Sequence, residues 1–352
     1  MKGLLLKYGF YLACAFLLIC CKQEFAPGCH KLILDAYPFN GVDKTQGKLF
    51  SDSRICPIEG VLLSKYVFEQ ADSERILVRD KKTIVIIDTN GIVLTSFSKL
   101  GKGPGEYILP LSVSVDKHRN RILVFDYHRN DRLLAYALDG KPIGSVDISI
   151  PAALALYNNA DDCVYIISSN REEGISIVNL ANGMIRSEVH GGVERTLGMI
   201  TIPGIMHAGS DVILIKPGCD TLYNMSRPGA PPFLILDKGC HSSASKKCLA
   251  TNEGIIMDGY VLYRESLLFL SFVYNRCRFY DIWDISHEEL LYRQKIGGPD
   301  EPMGYPVAIN GKQIYVWPSI FSEDGFMYCE LYDVVDGMDC NKSWFVRSKI
   351  VF

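Results

Sequence analysis

Lys99-Leu-Gly-Lys-Gly-Pro-Gly-Glu-Tyr107 is a glycine-rich connection with an apolar, strand-like run on either side. Upstream, Ile84 to Phe97 reads as two strands joined by Asn90-Gly91, because Asn and Gly tolerate the positive φ of a tight hairpin. Downstream, Ser112 to Val115, Arg121 to Phe125 and Arg132 to Tyr136 read as three more strands, and Leu138-Asp139-Gly140 closes that unit. The loop therefore links two similar four-stranded units. How often the unit recurs decides the fold.

The recurrence is tracked by the turns Asn90-Gly91, Asp139-Gly140, Asn182-Gly183 and Pro228-Gly229, whose glycines stand 49, 43 and 46 residues apart. WD-type propeller repeats run about 40 to 45 residues and kelch repeats about 50, with four short strands per unit and no amphipathic helix. A fifth unit is expected from Leu267 to Val273 and Arg276 to Trp283. A sixth is expected from Gln313 to Trp317, Met327 to Tyr332 and Asp336-Gly337. The reading is an all-β, six-bladed β-propeller with four-stranded antiparallel blades over 55–352. One blade cannot bury both faces of its sheet, whereas a ring of six does so, and a strand within 55–66 should complete the last blade. The rival, a β-sandwich pair or a large barrel, does not account for the turn spacing.

The chain has 352 residues, 48% of them hydrophobic, and a formal charge of -3. That balance offers no basic face for nucleic acid, which needs cations to replace released counterions. Lys2 and Lys7 precede an apolar stretch from Tyr8 to Ile19, too short for the roughly 20 residues of a membrane span. Residues 1–20 therefore read as an export signal. Residues 21–54, with Pro27-Gly28, Pro38 and Asn40-Gly41, read as a tether and lead-in whose Leu32-Ile-Leu34 and Tyr37 are apolar enough to touch the body. Nine cysteines follow Cys21, none in a CxxC pair, and the spacings do not suggest zinc. Cys240 and Cys248 bracket a polar loop where an exported protein could form a disulfide; buried free thiols are the alternative.

Four passages carry a resemblance to known families. Leu18-Ile-Cys-Cys21 resembles a bacterial lipobox with Cys21 as the lipidated residue, although Cys20 is an unusual neighbour for it. Asp116 to Tyr136, with Asp126, Asn130 and Arg132, resembles an NHL-type repeat. Gly101-Lys-Gly-Pro-Gly-Glu-Tyr107 and Asp220-Thr-Leu-Tyr223 are similar to elements of TolB-like, six-bladed propeller lipoproteins of anaerobic gut bacteria. The resemblance implies a cell-envelope protein held by lipid at Cys21, on the outer membrane, and implies architecture more than reaction. Acyl chains in combination hold a protein on a membrane where one would not.

The glycine loop is no phosphate cradle, since Glu106 replaces the last glycine of a dinucleotide fingerprint and no helix follows. Asp126, Asn130 and Arg132 should tie the loop to its neighbouring strand. Tyr127, His128 and Arg129 project from the turn between second and third strands. With Glu106 and Tyr107 they form the candidate ligand-binding set, on the side where blade-to-blade links emerge; the alternative is that Glu106 and Tyr107 only pack one blade on the next. No HExxH or GxSxG occurs, so no catalytic residue, metal or cofactor is assigned. Asp161, Asp162, Asp281 and Asp284 read as turn acids rather than calcium ligands. Trp283, Trp317 and Trp344 read as gap fillers between blades rather than sugar-stacking platforms. The expected function is non-catalytic binding of a protein or glycan. The competitor is a metal-dependent propeller enzyme of lactonase or lyase type.

Overall fold

The computed structural model describes residues 29–39, 42–43, 48–129, 131–148, 150–168, 175–188, 195–196, 199–200, 204–215, 221–227, 229, 232–241, 254–264, 266–298, 300–331, 338–339 and 342–351. Six antiparallel sheets are arranged as the blades of a propeller, each built from the ring axis outwards. Blade 1 holds Val67–Ala71, Arg75–Arg79, Ile84–Asp88 and Val93–Phe97. Blade 2 holds Pro110–Asp116, Arg121–Asp126, Arg132–Ala137 and Pro142–Asp147. Blade 3 holds Ala152–Asn158, Cys163–Ser168, Ile175–Asn179 and Ile185–Glu188. Blade 4 holds Gly204–Ala208, Asp211–Ile215, Thr221–Asn224 and Leu234–Asp237. Blade 5 holds Ile256–Tyr263, Leu267–Tyr274, Cys277–Asp284 and Glu289–Ile296. Blade 6 holds Ile320–Phe321, Phe326–Glu330, Ser343–Ile350 and, as its outer strand, Phe50–Ile58.

The period of two along each strand shows why these residues need a ring. Ile76 and Val78 face the core shared with blade 6, while Leu77 between them faces the core shared with blade 2. Ile122 and Val124 point towards blade 1, Leu123 and Phe125 towards blade 3. Tyr165 and Ile167 meet blade 4, Val164 and Ile166 blade 2. Runs that are apolar at every position are thus buried on both faces, each face against a different neighbour. Among the described residues the clusters are six, one per pair of adjacent blades, and the one joining blades 6 and 1 closes the circle. Fully burying one such aliphatic side chain contributes about 1.5–3 kcal/mol, so an open ring would lose a whole cluster.

The closing strand is Phe50–Ile58 rather than a strand within 55–66, paired from Phe50 opposite Ile350 to Ile58 opposite Ser343. Pro57 is tolerated because an outer strand has one edge free of ladder bonds. Beyond Ile58 the chain leaves the sheet: Glu59 bridges Ile92 of blade 1, and Leu63 N–H donates to Ser343 Oγ at 2.9 Å. The lead-in packs on the body at Leu32-Ile-Leu34, as its apolar run implied. His30–Ile33 adds a parallel fifth strand to blade 4 and Val42–Asp43 a fifth to blade 5, with Leu32 and Leu34 fully buried. The run Gln313 to Trp317, expected inside the sixth blade, falls in the strand Lys312–Val316 and its end, which pairs instead with Tyr305–Ile309 as a separate hairpin. Its Tyr305, Val307, Ile309, Ile314 and Val316 fill the core between blades 5 and 6, so packing rather than ladder pairing holds it.

Residues 1–28, with the export signal and Cys21, lie outside the described residues, as do Asn130, Asp220 and Cys248. Among the described residues no helix is long and apolar enough to cross a membrane.

Candidate functional site

The first strands of all six blades surround a cavity of about 460 Å3 on the ring axis. Its wall is apolar along Phe68, Leu111, Leu154, Leu156, Met206 and Phe321, and polar at Glu69, Gln70, His207 and Tyr260. In four blades the inner strand slips register near its start, between Phe68 and Gln70, Pro110 and Ser112, Ala152 and Leu154, and Met257 and Gly259. A bulge adds one unpaired residue and bends the strand, which re-aims the side chains beside it.

Glu69 is the extra residue in blade 1. Its Oε1 accepts from Arg79 Nε at 2.6 Å and its Oε2 from Val113 N–H at 3.2 Å. Arg79 also donates to the Leu111 carbonyl at 3.1 Å, and Gln70 Oε1 accepts from Val115 N–H at 2.9 Å. Burial pushes the Glu69 carboxyl up, and the Arg79 cation pulls it back. These bonds satisfy the exposed edge of blade 2 with side chains of blade 1, so the acid is committed to the wall. His207 of blade 4 also lines the cavity; burial lowers its imidazole to about 4, against a backbone hydrogen bond with Tyr157. It is neutral at ordinary pH.

The far end of the cavity is a polar rim built from the turns after the inner strands. Lys117 Nζ lies 3.5 Å from Asp72 and 3.8 Å from Glu323. Lys117 N–H donates to Asn159 Oδ1 at 2.7 Å, Asn158 Nδ2 to the Ser210 carbonyl at 3.1 Å, and Arg264 to the Glu323 carbonyl at 2.9 Å. All six first turns share this end, the turn face. The opposite end, where the chain passes between blades, is the link face.

The sequence-derived set lies on the link face. The pairing of Pro110 with Asp126 brings the loop before blade 2 beside the turn after its second strand. Asp126, fully buried, accepts from Ile108 N–H at 3.1 Å and Leu109 N–H at 2.9 Å, the tying role expected of it. Glu106 Oε2 accepts from Gly103 N–H at 2.7 Å. Gly101, at φ 157°, leaves space for this carboxylate; a Cβ there would sit 2.0 Å from it. Tyr107 is fully buried between blades 1 and 2, donating to the Lys82 carbonyl at 2.7 Å and accepting from Lys99 N–H at 3.2 Å. Glu106 thus closes its own loop, and Tyr107 clamps blade to blade. Tyr127 is 49% exposed and packs edge-on against exposed His128, 5.9 Å between centroids. Arg129 follows in the same short 3-10 turn. Glu106, Tyr107, Tyr127 and His128 do not line the cavity.

One comparison of variants separates these roles. Tyr107→Phe removes the hydroxyl that joins two part-buried backbone groups, the Lys82 carbonyl and the Lys99 N–H, and should cost about 1–1.5 kcal/mol. His128→Ala should change stability by no more than about 0.5 kcal/mol. Urea unfolding midpoints measure both; equal effects would remove the distinction.

The other candidates take structural places. Trp283 is fully buried and donates to Asp281 at 3.1 Å, Trp317 packs on Phe269 and Tyr280, and Trp344 donates to the Asp339 carbonyl. Asp162 binds Arg119 and Tyr157, and Asp284 holds His287. Among the described residues, no three His, Cys, Asp or Glu side chains are placed to hold a metal ion. Cys29, Cys56, Cys163, Cys277 and Cys329 are free thiols, and burial pushes Cys329 up to about 12. The residues that sequence reasoning missed, Glu69, Gln70, His207 and Tyr260, share no motif or spacing. Only their place on an inner strand unites them.

Residues 63–181 match the family model DUF5128, described as a 6-bladed beta-propeller. No curated protein matches the chain by sequence. Among solved structures, a Bacteroides fragilis protein described by name as exported superposes with a TM-score of 0.62 at 15% identity, over 92% of this chain and 99% of its own. A member of the duf4221 family from Bacteroides vulgatus does so with a TM-score of 0.50 at 12% identity, over 86% and 97%. At such identities the likeness is one of fold, and by its own sheet order as well as by this match the chain is a six-bladed β-propeller.

Proposed function

We propose that the protein is an exported, lipid-anchored binding protein that holds a small ligand in the central channel without transforming it. The observation carrying this reading is the axial cavity of about 460 Å3, walled by all six inner strands, within the range of roughly 300–1,000 Å3 typical of small-molecule sites. Its charged groups are already engaged, Glu69 by Arg79 and Lys117 by Asp72 and Glu323, which favours a ligand without net charge. The leader and Cys21 support export and anchoring, and the name of the Bacteroides fragilis structural relative supports export.

The channel reading is tested at Val67, which lines the cavity and is 43% exposed, so that a larger side chain extends into open space. A thermal-shift screen of neutral saccharides and short peptides is run on the wild type and on Val67→Trp. Binding to the native state raises Tm with ligand concentration. Hits should stabilise the wild type and lose that effect at least tenfold in Val67→Trp. Hits unaffected by the substitution would put the site elsewhere.

A further inference from the structure

We infer that the turn face, with the rim of the channel, is the surface turned towards the membrane, its occupant being the lipid bilayer that carries the Cys21 anchor. The inference rests on the anchor proposed above and adds an orientation to it. It starts from where the chain enters the body. His30 N–H donates to the Phe233 carbonyl at 2.9 Å and Lys31 N–H to Glu288 Oε1 at 3.0 Å, while Lys31 Nζ lies 2.6 Å from Asp237. Glu288 and Phe233 both belong to turns that precede outer strands, in blades 5 and 4. The entering strand runs parallel to Leu234–Asp237, so it too begins at that end.

His30 also lines a groove of about 850 Å3 together with Phe233, Arg264 and Ser286. Gly209, Ser210 and Glu323 line both this groove and the axial cavity. A continuous depression thus leads from the channel rim to the point where the chain emerges. Seven residues separate Cys21 from Cys29. At no more than about 3.6 Å per residue they span at most about 30 Å, whatever their conformation. The link face, with Tyr127, His128 and Arg129, is then presented away from the bilayer, and a ligand reaching the rim comes from the gap between propeller and lipid.

Charge does not supply this orientation. Cations of the turn face stand beside acids, Arg119 2.7 Å from Asp162, Arg227 3.8 Å from Asp211 and Lys117 3.5 Å from Asp72. The tether supplies it, so it should survive salt.

Two histidines report the two faces. His287 has a side chain 78% exposed in the turn beside the entering strand, and exposed His128 stands on the link face. Mature protein is placed on phosphatidylcholine–phosphatidylglycerol vesicles, treated with diethyl pyrocarbonate and read by mass spectrometry, with the same protein in detergent as reference. His287 should be protected at least threefold on vesicles and His128 unchanged, equally at about 0.05 and 0.5 M salt. Inserting 40 Gly/Ser residues after Gln23, which adds a root-mean-square reach of about 35 Å, should abolish the protection. Equal reactivity of the two histidines on sedimenting vesicles overturns the orientation and leaves the anchor standing. Protection that persists with the insertion, or that vanishes in salt, overturns the tether as its cause. A Cys21 without lipid overturns the anchor and this inference with it.

Discussion

Arg293→Met is expected to lower the unfolding free energy by about 3–5 kcal/mol, the range for removing one partner of a buried ion pair. Arg293 and Asp281 are both fully buried in side chain. The guanidinium donates Nε to Asp281 Oδ1 at 2.8 Å and a second nitrogen to Oδ2 at 2.6 Å. Its remaining donors reach the carbonyls of Leu34 and Tyr37, each at 3.0 Å. Phe39 and Phe272 cover its faces, 4.9 and 5.6 Å from the ring centroids. One side chain therefore satisfies a carboxylate of blade 5 and two carbonyls of the lead-in segment.

The double variant Asp281→Leu with Arg293→Met tests that account. Replacing both members of a buried pair by apolar residues is often nearly neutral, but here it also removes the donors that reach the Leu34 and Tyr37 carbonyls. The double variant should recover part of the loss, not all of it. Hydrogen exchange at Leu32 and Leu34 should then remain faster than in the wild type. Full recovery would mean that the lead-in segment does not depend on Arg293. The single variant also carries a pH signature. Burial already pushes the Asp281 carboxyl up, with Arg293 opposing. Without Arg293 the folded-state pKa rises further above the unfolded value of about 3.9. The deficit should therefore be smallest near pH 4 and grow as pH rises through the folded-state pKa. A deficit independent of pH would place the cost in lost packing alone.

The ring was legible because propellers repeat, and a repeat writes its period into the turns. Asn90-Gly91, Asp139-Gly140 and Asn182-Gly183 all end third strands and begin fourth ones. Doubly buried strands such as Ile84–Asp88 then follow from their unbroken apolar runs. The sixth blade was harder, because its inner strand is only Ile320–Phe321 and an apolar hairpin precedes it. Strand-forming composition says that a segment pairs, not with what. The channel was not legible at all. Glu69 and His207 stand on inner strands of blades whose side chains alternate between two cores, and at Glu69 a bulge shifts that alternation by one residue. The Gly-x-Gly-Pro-Gly-Glu-Tyr loop drew attention as a site because its chemistry is conspicuous. Its glycines and glutamate bind each other, and its tyrosine locks two blades.

Gly91→Ala is expected to cost on the order of 4 kcal/mol or more, and Gly183→Ala only about 1–2 kcal/mol, although both stand second in an Asn-Gly turn. Each has positive φ, +93° at Gly91 and +70° at Gly183, so each alanine meets the left-handed penalty of about 1–2 kcal/mol. Their surroundings differ. Around Gly183 a Cβ would find nothing within 4 Å, while at Gly91 it would lie 1.8 Å from the Pro57 carbonyl oxygen. Pro57 belongs to the closing strand of blade 6, and Glu59 N–H donates to the Gly91 carbonyl at 2.9 Å. That obstacle is backbone, which cannot rotate aside, so the strand must move and the contact between blades 6 and 1 loosens. Gly140 falls between, since a Cβ there would lie 2.6 Å from the Phe97 ring, and a buried ring can yield at about 1–3 kcal/mol. Urea midpoints should rank Gly183→Ala above Gly140→Ala above Gly91→Ala. Gly91→Ala should also speed hydrogen exchange in Phe50–Ile58 before any other strand. If instead Gly91→Ala and Gly183→Ala unfold at the same midpoint, the ring is not held shut at this turn, and the burden of closure falls on the apolar cluster of Ile58, Phe68 and Phe345 alone.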